Sequence, residues 1–217
     1  MEIGNNFQSV ITLGSFNPAI LTPEFLKENG IATFDAPPKG NTSPVVSQLK
    51  FENISFFVEL ERFQIVDKKI DSFDKSPIVP WAFKYLDILR YTPVFVQGVN
   101  FNVNLTNFED SKSIQNIFKD PILEMPKYVD KVNEYFVDVK TKIVEGKAQN
   151  QVINCKWDID NQISISTNLN WKNKEMLLNF NYEVQNIKSD RKRLSIIMDN
   201  YQSICEKFDL FIESIAK

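Results

Sequence analysis

"VQGVNFNVNLTN", residues 96–107, has the most regular pattern in the chain. Val99, Phe101, Val103 and Leu105 alternate with Asn100, Asn102 and Asn104. Side chains of a strand alternate between its two faces, so period two predicts a strand with one apolar and one carboxamide face. The pattern extends from about Pro93 to Thr106.

The flanking segments give this strand its company. Upstream, "FQSVITLGSF" (7–16) reads as a strand. Thr22, Pro23 and Gly30 mark the start and exit of a short helix over about 23–29. "DAPPKGNTSP" (35–44) reads as a loop, and 45–51 with 54–66 as a hairpin around Glu52-Asn53. Ser76 is expected to cap a helix that starts at Pro77. Its apolar face is Ile78, Trp81, Ala82, Tyr85, Leu86 and Leu89. Downstream, a short helix is expected over about 111–119. Residues 129–145 fit either period, and their β-branched content favours a strand over about 135–145.

The C-terminal third is patterned more strongly. Ile153, Cys155 and Trp157, then Ile163, Ile165, Thr167, Leu169 and Trp171, then Leu178, Phe180, Tyr182 and Val184 form three successive apolar faces. Asp160-Asn161 and Lys172-Asn173 supply turns between them. From about Arg191 an apolar stripe through Leu194, Ile197, Tyr201, Phe208 and Ile215 predicts a long amphipathic helix. The expected fold is therefore α+β and mainly antiparallel. Its β-meander (about 152–185) is packed by a long C-terminal amphipathic helix (about 191–216). A single domain over 1–217 is expected; its element order can be read as two pseudo-repeat halves, 1–90 and 93–217, without a residue-level repeat between them. A meander followed by a long helix resembles helix-grip folds. That resemblance implies a sheet wrapped around the helix and an apolar ligand between them.

Composition narrows the function classes. The chain has 217 residues, 43% of them hydrophobic, enough for one sizeable core. A net charge of -3 gives no general attraction to nucleic acid or acidic lipid. No apolar run approaches the roughly 18 residues of a membrane span, so no membrane partner is expected. With two widely spaced cysteines, a reduced cytoplasmic location is the reading. There is no histidine, which removes Ser-His-Asp and Cys-His catalysis and the usual His-bearing zinc sites. No catalytic or metal-binding residue is assigned, and no cofactor is expected.

Several local patterns read as ordinary structure. Glu59 and Glu61 share a strand face and are expected roughly 6.6 Å apart, as neighbours on any exposed strand are. "DIDNQI" (158–163) lacks the glycine and the twelfth-position acid of a calcium loop. "KSDRKR" (188–193) is a small basic helix entry, and Trp81, Trp157, Trp171, Cys155 and Cys205 lie on apolar faces.

The carboxamides remain. Asn100, Asn102 and Asn104 are joined by Asn168 and Asn170 on one meander strand and by Asn179 and Asn181 on the next. Asparagine is about a tenth of the chain, well above ordinary usage, and is a poor strand former. An uncharged amide face costs less to cover than a charged one. The expected function is a non-enzymatic protein-binding or scaffold role through this polar sheet face, toward a protein partner or by self-association. The alternative is a small-ligand carrier with a cavity between sheet and helices.

Overall fold

The computed structural model describes residues 2–107, 136–145, 147–156, 161–170, 172–185 and 192–216. The strands are β1 (Glu2–Gly14), β2 (Lys39–Asn41), β3 (Val46–Phe51), β4 (Ile54–Glu59), β5 (Arg62–Ile70), β6 (Val94–Thr106), β7 (Phe136–Val144), β8 (Lys147–Lys156), β9 (Asn161–Asn170) and β10 (Glu175–Val184). The helices are α1 (Pro23–Glu28), α2 (Ile78–Ile88) and α3 (Lys192–Ala216).

All ten strands form one sheet in the order β2-β3-β4-β5-β1-β6-β10-β9-β8-β7. Every pairing is antiparallel. This overturns the expected α+β fold of a meander packed by a long C-terminal helix. Half of the described residues are strand, and the amphipathic part of the C-terminal helix is only about 14 residues. The helix covers only the β10 side of the meander. Its buried residues reach the middle of the sheet, where Phe208 packs on Phe101 of β6 at 4.6 Å and Phe180 of β10 at 4.7 Å.

Local chemistry explains most element boundaries. Thr22 Oγ1 accepts from the backbone N–H of Phe25 at 3.0 Å and Pro23 occupies the first turn of α1. Gly30 leaves that helix at φ +57°, a conformation that costs glycine nothing. Three expectations need correction. Ser76 does not cap α2, because its hydroxyl donates to Asp67 Oδ2 at 2.9 Å and Pro77 takes the cap position. Residues 54–66 are not one strand: the chain reverses at Leu60-Glu61, and β4 pairs back on β5. Lys39–Asn41, read as loop, adds a short edge strand against β3. The helix expected over 111–119 lies outside the described residues. Residues 136–144 are strand β7, paired with β8.

One face of the sheet carries the core. Val10, Phe56, Phe63, Ile65, Val99, Phe101, Leu178 and Phe180 are fully buried there. α2 covers the β4–β5 side, with Tyr85 stacked on Phe63 at 4.3 Å and Trp81 on Phe56 at 6.1 Å. α3 covers the β6–β10 side, and Phe73 bridges the two through Phe101 at 5.1 Å. Tyr201 of α3 anchors the polar seam. Its hydroxyl lies 2.9 Å from Phe73 O and 3.0 Å from Gln8 Oε1, two acceptors for one proton.

Candidate interaction face

The opposite, outer face of the sheet is built by the same alternation that builds the core. With Val99, Phe101, Val103 and Leu105 fully buried on the inner side, Asn100, Asn102 and Asn104 must point outward. The register brings the amides together across strands. Asn102 faces Asn179 and Asn100 faces Asn181 on β10, while Asn104 faces Leu177. The first four form a two-by-two block, and Asn179 Nδ2 donates to Asn102 Oδ1 at 2.6 Å.

Burial grades the seven residues. Asn102 is buried at 5% exposure; Asn100, Asn104, Asn179 and Asn181 are half-buried; Asn168 and Asn170 are exposed. Asn181 Nδ2 donates to Glu183 Oε2 at 3.0 Å. Asn170 has a local task, accepting from the backbone N–H groups of Lys172 and Asn173 at 3.2 and 3.3 Å and so holding the β9–β10 turn. Asn104, Asn168 and Asn170 also line an open hollow of about 540 Å³ with Gln149, Glu175 and Leu177.

The amide block is the middle of a longer uncharged band. One row runs Ser55, Val66, Ser9, Asn100, Asn181, Ser164 across β4-β5-β1-β6-β10-β9. At the usual strand spacing that is about 24 Å without a formal charge. The next row runs Phe7, Asn102, Asn179, Ser166, Val152 before it meets Lys140. The contributions of Phe7, Ser9 and Val66 were not assigned from the sequence, because nothing local says that β1 lies between β5 and β6. The alternation of β1 is visible, and only its neighbours are missing.

The other sequence candidates separate. Glu59 ends β4 and Glu61 sits in the turn, so they do not share a strand face. Cys205 is fully buried, and burial pushes its thiol up to about 12. The side chains of Cys155, Trp157 and Trp171, the start of "DIDNQI" and most of "KSDRKR" fall outside the described residues. Among the described residues no group of three or more His, Cys, Asp or Glu could hold a metal ion, and no helix is long and apolar enough to cross a membrane. No protein-family model matches the chain, and no curated protein matches it.

Proposed function

We propose that this chain is a non-enzymatic, cytoplasmic protein-binding module whose outer sheet face docks a protein partner. The observation that carries the reading is the uncharged band centred on Asn100, Asn102, Asn179 and Asn181. A face kept for water ordinarily carries Lys, Glu and Thr. The cores of protein interfaces are instead depleted of charge, because a charge must be desolvated when covered. Carboxamides suit such a face, since each offers two donors and an acceptor without that cost. Phe7, Ile11 and Val66, all half-buried beside the amides, add apolar area to it. The absence of histidine from the whole sequence supports the non-enzymatic part.

The test is a charge placed in the band. Wild type and the double variant Asn181→Lys/Ser166→Lys are cross-linked in native extract, and partners specific to the wild type are purified. Their affinities are then measured by titration calorimetry. Both positions are half-buried, so the fold should survive, as an unchanged melting temperature will show. The expected result is at least about tenfold weaker binding, roughly 1.4 kcal/mol. Equal affinity of the folded variant for the same partner overturns the reading.

A further inference from the structure

The outer face ends in a second, chemically different surface. At the end where β3 and β6 begin and β1 and β4 finish, six large apolar side chains are exposed: Val45, Val46, Leu60, Leu13, Phe95 and Tyr91. Tyr91, in the turn before β6, is 93% exposed, Leu60 55% and Phe95 53%. The strands that carry or flank them are adjacent, β3-β4-β5-β1-β6.

Phe95 is presented there by a bulge. Leu13 pairs with Val96 but Gly14 pairs with Val94, so β6 has one residue more than β1 at this point, and that residue is Phe95. Bulges re-aim side chains and are specific features of a fold. The corner is closed by Gly14, where a Cβ would stand 2.3 Å from Pro93 O. The backbone there is thus arranged so that an aromatic ring faces out rather than in.

We infer that this end of the sheet is the interface of a two-fold homodimer. The charges among the apolar residues select a second copy over an unrelated partner. Arg62, opposite Leu13 on β5, has a buried Nε without a hydrogen-bond partner among the described residues. Glu61, the residue before it in the turn, and Glu59, at the end of β4, are both exposed. A patch holding a guanidinium and carboxylates without ion-pair partners among the described residues is complementary to itself. In a two-fold interface Arg62 of each copy meets the carboxylates of the other. The area also fits. Aromatic side chains offer about 150–250 Å² each, so Tyr91 and Phe95 alone, at 93% and 53% exposure, supply roughly 200–350 Å² before the aliphatic side chains are added. The apolar share of a standard interface is about 56–58% of roughly 800 Å² per partner, which the aliphatic neighbours bring within reach.

Sedimentation velocity of the full chain, from about 1 to about 100 µM at physiological salt, tests the inference. The wild type is expected to dimerise with a micromolar constant, and Phe95→Glu to weaken dimerisation at least about tenfold. Arg62→Glu and the pair Glu59→Arg/Glu61→Arg should each weaken it, and an equal mixture of the two should restore a heterodimer. Should Phe95→Glu fail to fold, Tyr91→Lys gives the same reading from a side chain that the fold does not use. A wild type monomeric throughout, a dimer indifferent to these substitutions, or a mixture that stays monomeric overturns the inference. Asn181→Lys/Ser166→Lys lies outside this end of the sheet and leaves the dimer intact, so failure of one surface is distinguishable from failure of the other.

Discussion

Phe208→Ala probes the joint between α3 and the sheet. Phe208 is fully buried, edge-on to Phe101 at 73° and stacked on Phe180 at 30°. Removing a buried Phe side chain costs about 3–5 kcal/mol, from lost transfer energy plus the cavity left behind. Two aromatic contacts are lost at once, each contributing about 0.5–1.5 kcal/mol beyond its area. The neighbours on β6 and β10 are held by strand pairing on both sides, so the site cannot collapse. The expected loss is therefore in the upper half, about 4 kcal/mol. With a urea dependence of about 2 kcal/mol/M, the unfolding midpoint falls by about 2 M. Leu210→Ala on the exposed side of the same helix is the control and should stay within about 0.5 kcal/mol. A Phe208→Ala loss below about 1 kcal/mol, with Leu210→Ala unchanged, would refute the packing of this helix on the sheet centre.

Two further outcomes are expected. Ser76→Ala removes the hydroxyl that donates to buried Asp67; it should cost about 1–3 kcal/mol by urea unfolding, since a buried acceptor loses its donor. Asp209 of α3 is held above the ordinary carboxylate range, first by partial burial and then by Asp74 and Glu213, with Ser72 opposing. A carboxyl with a raised folded pKa gives stability that is complete below its unfolded pKa and is lost as pH rises through the folded value. Asp209→Asn should therefore stabilise the protein at pH 7, with less gain at pH 3. Equal gains at both pH values would show that the charge on Asp209 is not the cause.

The sequence revealed faces better than neighbours. The apolar sets Val99-Phe101-Val103-Leu105 and Leu178-Phe180-Tyr182-Val184 are buried as their alternation predicts. The caps at Thr22 and Gly30 act where their chemistry places them. The β4–β5 reversal was missed because Leu60-Glu61 contains none of the usual turn residues. Its trace is a change of phase: Phe56 and Val58 are buried on even numbers, Phe63 and Ile65 on odd ones. The helix stripe was visible and was aimed at the meander alone; that it also reaches Phe101 of β6 was not, because an amphipathic face says only that something apolar covers it. The amide residues were legible singly. The continuous band was not, since it depends on β1 inserting between β5 and β6.

That insertion has a kinetic consequence. The hairpins β2-β3-β4-β5 and β7-β8-β9-β10 each join strands that follow closely in the chain. The seams at the centre do not: Glu2 pairs with Thr106, and Val184 with Gln97. Pairing between distant residues is slow, because the loop must close before any contact rewards it. The two lateral ribbons can thus form early, and the edges that the finished sheet covers, β5 on one and β10 on the other, are then still open. Until β1 and β6 enter between them, those edges are free to accept a strand from another molecule. Crowded refolding therefore favours exchanged chains, whereas dilute refolding lets the centre zip within one.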